Sequence, residues 1–255
     1  MRFTKKTLNI VIAIIIVLAA WQSVIWLTDI EEALLPDPLM VGEAMISLFA
    51  DGTLFAHLKV SLMRFFSGYL SAAVAAILLG LLLGRVQRLW DIADPIVQVL
   101  RPIAPVAWTP FIVLWFGIGS APAIVIIFIA AFFPILLSTI TGVKKVDTNY
   151  LKLAQNMEIK QPHLMTKIIF PAAYPSIASG LHIGIGTAWI FLVSGEMVGA
   201  QSGLGYLIID ARNLLRLDLV LAGIILIGIC GLLLDKGIRL LERLIEKRWG
   251  MTVSE

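Results

Sequence analysis

The chain has 255 residues, of which 59% are hydrophobic and only 15% are charged, and its mean hydropathy is +0.94. A soluble domain cannot bury that much apolar surface, so the composition excludes an ordinary soluble protein and predicts a helical protein that crosses the membrane several times. The formal net charge of +3 comes with no basic patch interleaved with aromatic residues, so nothing indicates nucleic-acid binding.

Six apolar segments are predicted to cross the membrane, which makes the fold class an all-α polytopic membrane protein with six transmembrane helices. A helix of about 20 residues crosses the roughly 30 Å of hydrocarbon in a bilayer. The sixth segment is shorter than the others, and it reaches across only if Asp235, Lys236 and Arg239 lie at the interface. The segments are residues 8–27, 65–84, 102–119, 121–143, 177–195 and 219–234.

The first segment has an alternative interpretation as a secretory signal peptide that is cleaved near Ala19 and Ala20. The apolar run continues through Trp26 and Leu27, which is longer than a signal peptide needs. The pattern therefore favours an uncleaved membrane span.

Basic residues are distributed unevenly between the two sides of these spans. Most of the 20 Lys and Arg residues precede the first span, follow the second, lie between the fourth and fifth, or follow the sixth. Residues 29–51 contain no basic residue but carry Asp29, Glu31, Glu32, Asp37, Glu43 and Asp51. Because cytoplasmic loops carry an excess of Lys and Arg, both termini are predicted to be cytoplasmic and residues 29–64 external.

The external segment contains the spacing of an amphipathic helix, which Pro36 and Pro38 precede and Asp51-Gly52 ends. This helix either covers the ends of the spans or provides a docking surface for an external partner. Its apolar positions are Val41, Ala44, Met45, Leu48 and Phe49.

Small residues and prolines add two expectations about the spans. The pairs Gly80/Gly84 and Gly180/Gly184 have the spacing of close helix–helix contacts. Prolines are expected to bend or break the third and fourth spans, either as harmless kinks or as breaks that line a cavity. These prolines are Pro102, Pro105, Pro110 and Pro134.

The polar stretch from Tyr150 to Pro175 contains the patterns of two short helices. In the first, one face is apolar and the other polar; the apolar face holds Tyr150, Leu153, Ala154 and Met157, and the polar face holds Lys152, Gln155 and Asn156. Residues 158–160 interrupt the pattern, and Pro162 suits the first turn of a second helix. That helix has apolar positions at Leu164, Met165, Ile168 and Ile169, and we expect Pro171 and Pro175 to end it. The pair is either an amphipathic surface loop or a docking site for a soluble partner, and its length favours docking.

This stretch resembles the signature E-A-A-x3-G-x9-I-x-L-P of ATP-binding-cassette importer permeases. Ala154, Ile168 and Pro171 match the signature, whereas Lys152, Leu153, Glu158 and Phe170 depart from it. Other motifs resemble the nitrate/sulfonate/taurine branch of these permeases over nearly the whole chain after about residue 30. They are Leu34-Leu35-Pro36-Asp37-Pro38, His57, Ser61-Leu62-x-Arg64, Phe66-x-Gly68-Tyr69, Arg101-Pro102-Ile103-x-Pro105-x-Ala107-Trp108, Trp115-Phe116-Gly117-Ile118-Gly119, Gly195-Glu196, Gly203-Leu204-Gly205-Tyr206 and Leu240-Leu241-Glu242-Arg243.

The resemblance implies a type I importer permease that carries a small anionic or zwitterionic solute such as a sulfonate, taurine or nitrate. It also implies a second permease subunit, expected to be an identical copy, two cytoplasmic ATPases and an external binding protein. The ATPases would bind the coupling residues Lys152, Leu153, Ala154, Asn156, Met157, Glu158, Pro162 and His163. The chain has no G-x-x-x-x-G-K-[ST] phosphate loop, so ATP and Mg²⁺ are expected on the partner ATPase, and no cofactor or metal is expected here.

This organisation divides the chain into four parts. Residues 1–28 form an N-terminal transmembrane helix, and residues 29–64 form the external segment. Residues 65–245 form the core permease domain, with coupling helices at about 147–170, and residues 246–255 form a cytoplasmic tail. A Gly in place of Glu158 would suit a positive φ between the coupling helices, a conformation that costs Glu158 about 1 kcal/mol or more. Either the turn is rebuilt here, or Glu158 makes a local contact, for which a Lys of the partner ATPase is a candidate.

Few ionisable or aromatic residues of the spans are candidates for the translocation pathway: Arg101, Trp108, His182 and Glu196. Arg101 could attract an anion or anchor a span at the interface. Glu196 could pair with a nearby Arg and hold helices together, and His182 could be a hydrogen-bonded packing residue.

Two other functions compete with the permease. An ion-coupled carrier could use His182 and Glu196 as a relay, but no internal repeat is found. An intramembrane enzyme could use Ser194 with the same two residues, but no nucleophile-elbow or His-Glu-x-x-His pattern surrounds them. The single cysteine, Cys230, excludes an intrachain disulfide bond and a zinc site built from cysteines.

Overall fold

The computed structural model describes residues 2–28 and 34–248, and the regular structure in those residues is helical. Asp29, Glu31 and Glu32 of the expected external segment, and residues 249–255 of the expected tail, lie outside the described residues. The helices are α1 (Arg2–Thr28), α2 (Pro38–Ala50), α3 (Thr53–Arg85), α4 (Gln87–Leu100), α5 (Thr109–Phe116), α6 (Ser120–Lys144), α7 (Thr148–Asn156), α8 (Gln161–Leu164), α9 (Phe170–Gly199), α10 (Leu204–Asn213) and α11 (Leu217–Arg248). A 3₁₀ turn, Pro105–Trp108, precedes α5, and a π-helical turn, Met165–Ile169, joins α8 to α9.

Within the described residues, five helical segments are long and apolar enough to cross a membrane. They are Leu8–Thr28, Thr53–Arg85, Ser120–Lys144, Pro162–Gly199 and Leu217–Leu240. A sixth span exists if Gln87–Leu100 and Pro105–Phe116 are counted together, although these two segments meet at 86°. The structure thus confirms an all-α polytopic membrane protein.

The bounds predicted for the third span, residues 102–119, are wrong. The helical part of that region is Pro105–Phe116, which at 1.5 Å per residue extends about 18 Å and cannot cross the bilayer alone. Pro102 and Pro105 lie at the break, because proline offers no backbone N–H to continue a helix. The expected break therefore exists, but it divides a longer segment that begins at Gln87.

Helix α4 in that segment was not predicted. Its polar residues Asp91 and Asp94 each accept a hydrogen bond from a glutamine four residues away along the helix. Gln87 donates to Asp91 and Gln98 to Asp94, both at 2.7 Å. Pairs at this spacing stabilise helices and were the overlooked pattern.

Helix α6 lies at the centre of the bundle between α3 and α9. Glycines allow the backbones to approach at both contacts: a Cβ atom at Gly80 of α3 would lie 2.6 Å from Cβ of Thr139, and one at Gly84 would lie 2.7 Å from Cβ of Val143. On α9, a Cβ atom at Gly180 would collide with Ser138. The prediction that these glycines mark close helix contacts is confirmed.

One expectation about prolines is wrong, namely that Pro171 and Pro175 end the second short helix. Helix α6 runs through Pro134 without a break, and the helix that starts near Pro162 continues past Pro171 and Pro175 to Gly199. At the start of α9 the backbone N–H of Phe170 bonds to the carbonyl of Met165, five residues back. Pro171 follows this π turn in the first turn of α9, where a missing N–H is tolerated.

The amphipathic helix predicted at residues 41–49 is confirmed as α2. Asp37 caps its start by accepting a hydrogen bond from the N–H of Met40 at 2.7 Å, and it ends before Asp51. Its buried side chains face α11 and the start of α3. After α2, Asp51 Oδ1 accepts a hydrogen bond from the N–H of Thr53 at 2.9 Å, which holds the pKa of Asp51 below its ordinary value. Helix α2 therefore covers one end of the bundle.

Candidate functional site

The bundle has two chemically different ends. At the Gly199 end, α9 finishes beside the start of α6, and the N–H of Gly119 donates to the carbonyl of Gly199 at 2.8 Å. At the Lys144 end, α6 finishes and α7 and α8 follow. The coupling residues predicted from the sequence lie at the Lys144 end.

The segment formed by α7 and α8 is held to the bundle by a small apolar cluster. Ala154, Leu164 and Ile169 are buried in it, together with Val143 at the end of α6 and Ala173 near the start of α9. Ala154 is only 2% exposed. The cluster therefore anchors the segment to both α6 and α9.

Two other apolar side chains of α7, and that of Met157 just after the helix, point away from this cluster. Leu153 is 58% exposed and Met157 is 67% exposed, and Tyr150 is also exposed. The sequence placed these residues and Ala154 on one face, but at 100° per residue that face is a broad arc with Ala154 at its margin. Only the margin meets the bundle. The exposed apolar surface of this segment is thus formed by Tyr150, Leu153 and Met157.

The remaining predicted coupling residues surround this surface. Lys152, Asn156, Glu158, Pro162 and His163 are all exposed. The structure therefore brings every predicted coupling residue except Ala154 to the outside of the segment.

A tight turn connects α7 to α8. Glu158 has φ = +53°, and the N–H of Ile159 donates to the carbonyl of Ala154 at 3.0 Å, five residues back. This is the hydrogen bond of a Schellman motif, in which the residue at the position of Glu158 is usually glycine. The positive φ considered from the sequence is confirmed, and the turn has not been rebuilt to suit Glu158.

A buried polar cluster lies at the Gly199 end. Glu196 of α9 is 0% exposed, and its carboxylate is 2.9 Å from Nη1 of Arg64 on α3. It also accepts hydrogen bonds from Oγ of Ser61 at 2.8 Å and from the N–H of Gly205 at 2.9 Å. The buried carboxylate of Glu196 thus forms an ion pair with Arg64 that holds α9 against α3.

The loop between α9 and α10 wraps around this cluster. Arg64 donates to the carbonyl and to Oγ of Ser202 and, through Nε, to Oγ of Ser120 at the start of α6. The N–H of Gly203 donates to Nδ1 of His57 at 3.0 Å. Gly203 has φ = +104°, and a Cβ atom there would collide with the carboxylate of Glu196. Sequence motifs that are far apart along the chain thus meet in one network.

Arg101 lines a cavity among the described residues that has a volume of about 420 Å³. The cavity lies between α6, α9 and the break after α4. It is lined mainly by apolar residues, with the hydroxyl groups of Ser138 and Thr187 and the guanidinium of Arg101 as polar contributions. Arg101 also lines a neighbouring cavity with Asp94 and Gln98.

The other predicted pathway residues lie elsewhere. Glu196 does not contact a solute in this conformation, because it is fully buried and bound by the donors described above. Nε2 of His182 lies 3.4 Å from Oδ1 of Asp235 on α11, whose Oδ2 accepts a hydrogen bond from Arg239 at 2.9 Å. Trp108 is half-buried in the 3₁₀ turn. Neither His182 nor Trp108 lines the cavity that contains Arg101.

Sequence reasoning missed Ser138 and Thr187 as cavity residues. Each lies in a stretch rich in small residues, Ser138 opposite Gly180 and Thr187 just after Gly184 and Gly186. Small residues had been interpreted only as helix contacts. The same helix contacts also place hydroxyl groups beside the cavity.

A model of the family described as "Binding-protein-dependent transport system inner membrane component" matches residues 72–248, and the chain belongs to this family. The taurine transport system permease protein TauC of Escherichia coli (strain K12) is 36% identical over 233 residues, which cover 89% of this chain and 85% of that protein. The nitrate import permease protein NrtB of Synechocystis sp. (strain PCC 6803) is 35% identical over 252 residues, covering 95% and 90%.

A solved structure shares the fold. A chain of the MetNI methionine ABC transporter in an inward-facing conformation superimposes with a TM-score of 0.57 and 21% sequence identity, covering 74% of this chain and 97% of that chain. The chain therefore has the fold of a type I importer permease. It is a multi-pass membrane protein and a permease subunit of an ATP-binding-cassette importer rather than an enzyme. Family membership implies an ATPase and a binding protein as partners.

Proposed function

We propose that two identical copies of this chain form the pathway for a small anionic or zwitterionic solute, which an external binding protein delivers and two cytoplasmic ATPases drive. The observation that carries the coupling part is the exposed apolar surface of α7 at Tyr150, Leu153 and Met157. A polar segment at the end of a membrane bundle gains nothing by exposing three large apolar side chains to water, but a protein partner would bury them. ATP and Mg²⁺ bind to the partner, because this chain has no phosphate loop.

The proposed orientation places the Lys144 end and both termini in the cytoplasm. Lys144, Lys145, Lys152, Lys160 and Lys167 cluster at that end, as expected for a cytoplasmic face. A reporter fused after Glu255 should be active only in the cytoplasm, and one inserted near Asp51 only outside. A cytoplasmic signal near Asp51 would contradict this orientation.

The proposed solute class is supported by Arg101 and by the relatives. The guanidinium group of Arg101 is exposed beside the cavity, and its planar fork suits sulfonate or nitrate oxygens. The relatives are named for taurine and nitrate, which are a zwitterion and an anion. Within the described residues, the guanidinium of Arg101 forms no ion pair with a carboxylate, so it is available to a solute.

An uptake assay tests the solute class. Membrane vesicles that contain the permease, its ATPase and its binding protein should accumulate taurine, an aliphatic sulfonate or nitrate when ATP is supplied inside. Arg101→Gln should reduce uptake far more than Arg88→Gln, since Arg88 is also exposed but lines neither cavity. Uptake of a sugar or a peptide instead would reject the solute class, and uptake driven by an ion gradient without ATP would favour the ion-coupled carrier.

A further inference from the structure

Pro134 creates a hydrogen-bonding deficit inside α6. The helix continues through this proline, whose ring nitrogen carries no hydrogen. In an α-helix the N–H of residue 134 would bond to the carbonyl of residue 130. The carbonyl of Ala130, which is buried, therefore loses its regular helical donor.

A side chain on the neighbouring helix lies where the missing donor would be needed. Oγ1 of Thr187 on α9 is 3.1 Å from the carbonyl oxygen of Ala130. The same hydroxyl lies 3.2 Å from the carbonyl of Ile183 and 3.0 Å from that of Gly184, both on its own helix. A hydroxyl has one hydrogen to donate, so these three contacts compete for it.

The preferred acceptor depends on whether each carbonyl already receives a hydrogen bond from a backbone N–H group. Ile183 and Gly184 lie inside α9, where the backbone N–H groups of Thr187 and Ala188 serve their carbonyls. Ala130 has lost that donor to Pro134. Because an unsatisfied buried carbonyl is costly, donation to Ala130 stabilises the protein most.

We infer that Thr187 is a positioning residue, whose hydroxyl replaces the hydrogen bond that Pro134 removes and so fixes α9 against α6 in the cavity wall. Ala130, Pro134 and Thr187 all line the 420 Å³ cavity. The hydrogen bond from Thr187 to Ala130 therefore fixes the shape of the cavity wall next to Pro134. The consequence for uptake rests on the proposed function, whereas the bond itself does not.

A double-mutant cycle tests this inference, with the purified permease in detergent and the same variants in uptake vesicles. Thr187→Val removes the hydroxyl at nearly constant shape, and Pro134→Ala restores the backbone N–H that would satisfy Ala130. We expect Thr187→Val to lower Tm by about 2–4 °C in the natural chain but by less than 1 °C beside Pro134→Ala. Thr187→Ser, which keeps the hydroxyl, should retain both Tm and uptake.

The uptake readout separates positioning from simple packing. Thr187→Val should reduce uptake several-fold, and Pro134→Ala in the same chain should restore part of it, because the backbone donor again holds the Ala130 carbonyl. An equal fall in Tm with and without Pro134→Ala would overturn the inference, as would a Thr187→Ser variant as unstable as Thr187→Val. If Pro134→Ala prevents folding, the Ser and Val variants decide by themselves. Non-additive Tm values without uptake of any proposed solute would reject the proposed function and leave the positioning role standing.

Discussion

Ala154 and Leu153 are neighbours on α7, yet their substitution should fail for different reasons. Ala154 is 2% exposed and lies in the cluster that anchors the segment, whereas Leu153 is 58% exposed. Ala154→Glu would place a carboxylate among apolar side chains at a cost of several kcal/mol. We expect this to detach the segment from α6 and α9, so that ATPase binding is lost through local unfolding.

Leu153→Ala should act on docking alone. Complete burial of a leucine or methionine side chain contributes about 1.5–3 kcal/mol, and somewhat more than half of Leu153 remains for a partner to bury. Its removal should therefore weaken ATPase binding by roughly 1–2 kcal/mol, or about 5- to 30-fold in Kd. The same change at Met157, which is 67% exposed, should have a similar effect. Stability of the permease should stay within about 0.5 kcal/mol.

The assay combines titration of the ATPase with limited proteolysis of residues 147–164. Ala154→Glu should lose binding and become susceptible to cleavage, whereas Leu153→Ala and Met157→Ala should lose binding and remain resistant. Asn149→Ala, at an exposed position of α7 outside the predicted coupling residues, is the matched control. Lys152→Glu should cost no more than the 0–1 kcal/mol of an exposed ion pair. The coupling assignment is wrong if Leu153→Ala with Met157→Ala leaves Kd within twofold, or if Ala154→Glu retains both ATPase binding and full uptake.

Three further changes test the local structure. Glu196→Ala should lower the free energy of unfolding by about 3–5 kcal/mol, because it leaves the buried Arg64 without its partner; a loss below 1 kcal/mol in a chemical denaturation series would contradict the ion pair. Gly203→Ala should destabilise the same cluster by at least 1–2 kcal/mol, whereas Gly186→Ala, where no neighbour lies within 4 Å, should be neutral or mildly stabilising in the same melts. Glu158→Gly should raise Tm, since it relieves a left-handed conformation that costs about 1–2 kcal/mol, and Glu158→Ala, which keeps the Cβ atom, should not.

The sequence predicted most of the long helices because an apolar run of 20 residues has few alternatives in a membrane protein. It was wrong at Pro171 and Pro175, which were expected to end a helix. Pro171 falls just after a π turn and Pro134 lies beside a donor from another helix, so tertiary structure compensates for both. At Pro102 and Pro105 no such compensation occurs, and the chain breaks as expected.

The parts of the candidate site that depend on local sequence patterns could be predicted from the sequence. Helical spacing predicted the two short helices of the proposed coupling segment. It could not show which margin of the apolar arc meets the bundle, since that depends on how α7 packs against the bundle. The partner of Glu196 was equally out of reach. Arg64 precedes it by 132 positions, and only folding brings the two motifs together.

The glycine contacts on both sides of α6 bear on how a solute path can open. Where backbones are this close at two faces of one helix, sliding α3 or α9 along α6 would drive Cβ atoms and carbonyl groups into each other. The three helices should therefore travel as one rigid slab, and hydrogen exchange should protect them equally in every state of the cycle. In a pair of such chains, the solute path would open alternately to the two sides of the membrane as one rigid group of α3, α6 and α9 tilts against the other. The anchored α7 segment would transmit the motion to these helices.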